Sequence, residues 1–169
     1  MKNMRHLQKF NEFYSYDFLE TRPEFKSIKF LSKNDIPRVT HPIEEDLKIE
    51  MIDGLSDTLD GFDVDFVRGD QRKNYVSFNI VNRKELRKYR GKDLTLEKPD
   101  KPFSFMLKVQ LAHGGLFKDQ FYCELYNTST VESDETESVY FQSDGFEKLM
   151  QDLEQLIHGM TGLDQPTKM

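Results

Sequence analysis

The chain has 169 residues and a net charge of −6, with 37% hydrophobic and 32% charged residues, 14 Phe, seven Tyr and no Trp. That size suits one domain with a real core, in which Phe supplies most of the volume. The single Cys123 excludes an internal disulfide and fits a cytoplasmic, reducing setting. No apolar run approaches the roughly 18 residues that a spanning helix needs, and the opening Met1–His6 leads into polar-interrupted sequence unlike a secretory signal.

Met4, Leu7, Phe10, Tyr14 and Phe18 recur three or four residues apart, a helical stripe that ends at Thr21-Arg22-Pro23. Residues 1–22 are therefore expected to form an N-terminal helical arm that docks on its own domain or on another chain. Residues 23–162 form a single α+β domain in this reading, and 163–169 a frayed tail. Ile28, Phe30 and Leu31 suit a short strand or a cover for the core.

A helix is predicted to begin at His41-Pro42, because proline suits the first helical position. Glu44, Glu45 and Asp46 place negative charge at its positive end. Leu47, Met51, Leu55 and Leu59 recur every four residues, and Gly61 stops the helix. Phe62 to Phe66 then alternates cleanly, Arg68 to Asn74 reads as a turn, and Tyr75 to Val81 returns as the second strand of a hairpin. The adhesion-like triplet Arg68-Gly69-Asp70 falls at the expected hairpin tip. Residues 83–102 read as a connection with one helical turn near Lys84–Lys88.

The most legible stretch is Phe103 to Leu111. Phe103, Phe105, Leu107, Val109 and Leu111 face one way, and Ser104, Met106, Lys108 and Gln110 the other. This is the expected central strand. Ala112-His113-Gly114-Gly115 reads as a turn, and Phe121, Cys123 and Leu125 alternate on the next strand. Residues 128–138 are a polar loop, and Val139-Tyr140-Phe141 a short last strand. Asp144 with Glu147 resembles a capping box ahead of a second amphipathic stripe, Phe146, Leu149, Leu153, Leu156, Ile157 and Met160, closed by Gly159 and Gly162. The fold class is α+β: an antiparallel meander sheet of about five strands, with two main amphipathic helices packed on one face. Its open face carries Asp63, Asp65, Ser77, Asn79, Lys108, Gln110, Tyr122, Glu124 and Tyr126.

Charge is segregated. Residues 68–92 hold nine Lys or Arg against Asp70 and Glu85, leaving 15 basic and 28 acidic side chains elsewhere. The candidate binding residues are accordingly Arg68, Arg72 and Lys73 at the hairpin tip, with Arg83, Lys84, Arg87, Lys88 and Arg90 after the second strand. Tyr75, Tyr122 and Tyr126 are candidate stacking faces for unpaired bases. The chemistry of catalysis leaves no such trace. His6, His41, His113 and His158 share no zinc spacing with one another or with Cys123. Asp57, Asp60, Asp63 and Asp65 lack a closing Glu for a calcium loop. His113-Gly114-Gly115 has no Gly-x-Ser-x-Gly elbow to serve, and phosphate-binding glycine patterns are missing. No catalytic residue, metal or cofactor is assigned.

Leu7-Gln8-Lys9-Phe10-Asn11-Glu12-Phe13 and the run Glu45 to Phe66, ending Leu59-Asp60-Gly61-Phe62-Asp63-Val64, resemble small uncharacterised proteins of large tailed bacteriophages. The resemblance implies an origin, as a virion component, assembly factor or host-directed protein, and carries no activity or site. The expected function is a non-enzymatic module that binds another protein, with homo-oligomers conceivable through sheet-edge pairing. The alternative is a single-stranded nucleic-acid binder using the basic 68–92 segment. No membrane partner is expected.

Overall fold

The structure is a computed structural model that describes residues 22–38, 40–70, 74–88, 103–114, 118–128 and 138–161. Its centre is a six-stranded, wholly antiparallel sheet: β1 (Lys29–Leu31), β2 (Phe62–Asp70), β3 (Tyr75–Asn82), β4 (Ser104–Gly114), β5 (Lys118–Asn127) and β6 (Val139–Asp144). The spatial order is β1-β6-β5-β4-β3-β2, so β2 to β6 form a meander and β1 adds to its far edge. Two long helices, α1 (Glu45–Thr58) and α3 (Phe146–Thr161), pack on one face, and the short α2 (Arg83–Lys88) follows β3.

The period-2 pattern of β4 has the predicted outcome. Phe105, Leu107 and Val109 are completely buried, and Phe103 and Leu111 nearly so. Register carries this row across the sheet: Phe78, Leu107, Leu125 and Val139 lie side by side and are all inaccessible to solvent. Met51, Leu55 and Leu59 of α1, with Leu153, Leu156 and Ile157 of α3, close the core from above. The segment before β1 is clamped to α3 by Phe25 and by two polar ties. Lys148 Nζ donates to the Ser27 carbonyl (2.9 Å) and Ser27 Oγ to Gln155 Oε1 (3.2 Å).

Tertiary pairing moves several expected boundaries. The sixth strand is β1, too short to show a period, which forms because Phe30 lies opposite Phe141. Helix α1 starts at Glu45 rather than His41-Pro42, because the His41 N–H donates to the Leu111 carbonyl (2.7 Å) and keeps the chain extended. The expected Arg68–Asn74 turn is shorter. A bulge between Phe66 and Arg68 absorbs one residue, so that pairing continues to Asp70 opposite Tyr75. Asn74, at φ 54°, takes the left-handed step into β3. The predicted turn at Ala112–Gly115 is strand as far as Gly114, held by pairing with Lys118. Asp144 ends β6 and accepts from Gln142 Nε2 (2.7 Å) instead of capping α3; Gly145, at φ +92°, makes the corner. Gly159 lies inside α3, where its bare Cα admits the Phe25 ring. The remainder of the expected arm (1–21), the tail (163–169) and nearly all of the polar loop lie outside the described residues. Among the described residues no helix is long and apolar enough to cross a membrane.

Two substitutions probe this packing. Leu107→Ala is expected to lower the unfolding free energy by about 2–5 kcal/mol through the cavity it leaves. A Cβ at position 159 would collide with the Phe25 ring at Cζ and Cε1, so Gly159→Ala should destabilise by about 1–3 kcal/mol. Urea unfolding followed by far-UV circular dichroism measures both; an unshifted midpoint for Gly159→Ala would show that Phe25 is not seated there.

Candidate functional site

The sheet's second face is partly covered. After β1 the chain turns through a 3-10 turn, Lys33–Asp35, and crosses the open face to reach β4 at Leu111. This strap is pinned at both ends. At its start Leu31 pairs with Tyr140 of β6, and Asp35 closes the turn by accepting from the Ser32 N–H (3.1 Å) and from Ser32 Oγ (3.0 Å). At its end Asn74 Nδ2 donates to the Thr40 carbonyl (2.8 Å), beside the His41–Leu111 bond.

Beneath the strap lies a cleft of about 270 Å³. Its floor takes Gln110 and Tyr122 from one cross-strand row and Lys108, Glu124 and Tyr140 from the next, because each row is set by Cα pairing across β4, β5 and β6. Lys33 and Ile36 form the roof. Lys108 faces Glu124 across the strand pair, yet its ammonium lies 4.5 Å from the centroid of the Tyr75 ring, a cation–π contact. Glu124 Oε2 accepts from Ser138 Oγ (2.7 Å) and from the Tyr140 hydroxyl (3.3 Å). Among the described residues no donor bonds its other oxygen, and neither lysine is in an ion pair.

Two phenols in this cleft are held neutral above their usual range. Burial is the larger cause for both; nearby negative charge adds to it, from Asp144 at Tyr122 and from Glu124 at Tyr140. On the core side of the same strand, burial pushes the Cys123 thiol well up, and the negative charge of Asp152 reinforces it. Asp152 is itself fully buried, with its carboxylate bonded by Ser143 Oγ (2.6 Å) and by Lys148 Nζ. Cys123 is therefore a core thiol, as its strand phase predicts.

The basic candidates are spread apart. Arg83, Lys84, Arg87 and Lys88 sit on α2, whose start is fixed by Asn82 Oδ1 accepting the Glu85 N–H (3.1 Å). Arg83 is ion-paired with Asp63, and Lys88 with Glu85 (3.1 Å). Arg68 is on β2 opposite Ser77, six residue steps of β3 short of Arg83, about 20 Å of strand. Arg72, Lys73 and Arg90 lie outside the described residues. Of the stacking candidates, Tyr75 is only 9% exposed with Lys108 over its ring, while Tyr122 and Tyr126 are half-buried on the open face. Among the described residues no group of three His, Cys, Asp or Glu side chains is placed to hold a metal ion.

Strand periodicity places Lys108, Gln110, Tyr122 and Glu124 on this face but leaves no mark of the cleft. Lys33 and Ile36 come from a stretch without a period, and the strap's path depends on pairing with a distant strand. Ile36-Pro37, an apolar pair in otherwise polar sequence, is the only local sign of it.

The tyrosines and the thiol make a common alkaline prediction. A raised folded-state pKa contributes stability that is complete below the unfolded value and disappears as pH rises through the folded one. Spectrophotometric titration should show Tyr122 and Tyr140 ionising after exposed tyrosines, with stability falling above the ordinary phenol range. Cys123 should react with a thiol reagent only on unfolding; rapid native labelling would contradict its burial. No protein-family model, curated protein or solved structure matches the chain.

Proposed function

We infer that the protein is a binding module that takes up an extended segment of another protein along the outer edge of β2. The observation that carries this reading is the contrast between the two sheet edges. At one edge β1 is three residues long; at the other β2 runs for nine, with no strand of the described residues on its outer side. An open edge offers unpaired N–H and C=O groups to an incoming strand.

Side chains along β2 suit such a visitor. Phe66 and Val67 are 38% and 45% exposed, and Ile49 on α1, next in sequence to Lys48, is 48% exposed. Phe66 is pre-set by edge-on contact with Phe78 (6.2 Å between centroids) and by the Lys48 ammonium 4.1 Å above its ring. On the opposite face Asp65 is exposed, while Asp63 is engaged by Arg83. A partner strand alternating apolar with basic residues matches both faces. The bulge at Val67 breaks the flat register that two copies of the sheet would need. This favours a short heterologous segment over edge-to-edge homo-oligomers. The resemblance to small tailed-phage proteins supports a virion, assembly or host protein as the source of that segment.

The nucleic-acid alternative has less support. Arg83 and Lys88 already neutralise Asp63 and Glu85, and exposed Asp65 on β2 would repel a phosphate.

Selection from a displayed library of short extended peptides tests the reading. Peptides that bind should slow hydrogen exchange at β2 amides, and Val67→Asp should weaken them by about tenfold or more, a loss of about 1.4 kcal/mol. Selected peptides that leave β2 exchange unchanged would remove the proposal. Binding of a single-stranded oligonucleotide that is abolished by Lys84→Ser with Arg87→Ser would favour the alternative.

A further inference from the structure

We propose that the cleft beneath the strap binds a small zwitterion of the size and charge of a free α-amino acid. This site lies on the open face under Lys33–Ile36, and it stands independently of what binds the β2 edge.

Three observations carry the proposal. The first is that the cleft is built in advance. The strap is tied by the Leu31–Tyr140 pairing at one end and by the Thr40–Asn74 and His41–Leu111 bonds at the other, with its turn closed by Ser32 and Asp35. A ligand entering a formed site does not have to order its roof. The second is size. About 270 Å³ lies just below the usual lower bound of roughly 300 Å³ for small-molecule sites, which suits an occupant of amino-acid size and excludes a drug-sized one.

The third is charge. Lys33 and Lys108 line the cleft without an ion pair among the described residues, and Glu124 has both of its bonds on Oε2. Both signs of charge therefore border one half-enclosed space, the Lys108 ammonium resting against the Tyr75 ring rather than on Glu124. A simple anion would answer the ammonium groups and leave the carboxylate facing it; a simple cation would do the reverse. A zwitterion answers both with charge-assisted hydrogen bonds, its carboxylate toward the lysines and its ammonium toward Glu124. The Tyr122 and Tyr140 rings add surfaces that favour the ammonium, and their hydroxyls, which donate to Gln120 Oε1 and Glu124 Oε2 (both 3.3 Å), keep lone pairs that can accept from it. Ile36 supplies apolar cover for a short side chain.

NMR titration of the full chain with four probes tests this. Leucine and alanine carry both charges; isocaproate is leucine without its amino group, and isoamylamine is leucine without its carboxylate. Leucine or alanine should shift the amides of Lys108, Tyr122, Glu124 and Tyr140 saturably at roughly millimolar concentration. Isocaproate and isoamylamine should bind about tenfold more weakly or worse. Glu124→Gln and Lys108→Met should each reduce leucine to the level of the single-charge probes. Lys33→Met, on the exposed 3-10 turn, provides the same readout should either sheet variant melt early. No saturable shift with either amino acid, equal binding of all four probes, or shifts confined to other surfaces would each overturn the assignment.

Discussion

A single register running across the sheet supports everything else in this protein. Phe78, Leu107, Leu125 and Val139 occupy one cross-strand row, and Val76, Val109, Cys123, Phe141 and Phe30 the next. Sliding any strand by one residue would turn its apolar set toward solvent. The two helices would then lose the floor on which Met51, Leu55, Leu153 and Leu156 rest. The hydrophobic gain from that floor fixes the register, and the backbone ladder follows it.

The same register builds the opposite face. Because Leu107 and Leu125 point into the core together, Lys108 and Glu124 must emerge side by side, with Tyr140 beyond them. Core and cleft are thus two sides of one set of pairings, and a change to either propagates to the other. Polar groups enter the helix–sheet interface where they are satisfied. Buried Asp152 takes hydrogen bonds from Ser143 and Lys148, and Lys148 also reaches the Ser27 carbonyl. One lysine thereby ties the last helix to the segment that leads into β1.

The two edges of the sheet are finished differently. The β1 edge is short and continues directly into the strap, which carries the chain over the open face. The β2 edge is long, bears a bulge at Val67, and keeps Phe66 partly exposed beneath the Lys48 ammonium. The bulge strengthens local twist and interrupts a flat pairing surface, while Asp63 is drawn sideways into its pair with Arg83. Two of the exposed apolar side chains, Phe66 and Val67, are thus neighbours on this edge strand.

Much of this was legible from residue order. The alternation from Phe103 to Leu111, the four-residue spacing from Leu47 to Leu59 and the stop at Gly61 are local patterns, and each reports the face that must be buried. So did Cys123, whose strand phase alone places it in the core. The strap, the bulge at Val67, the burial of Tyr75 under Lys108 and the delayed start of α1 were not legible. The strap, the helix start and the covering of Tyr75 depend on partners far away in the chain: His41 on Leu111, Thr40 on Asn74 and Tyr75 on Lys108. The bulge depends on the hairpin register that sets Arg68 opposite Ser77. By itself the sequence determined which side chains seek the interior, because that preference is a property of each residue and its near neighbours. Only the tertiary structure decided which polar groups meet on the outside, because cross-strand pairing brings together residues whose spacing in the chain carries no mark of their meeting.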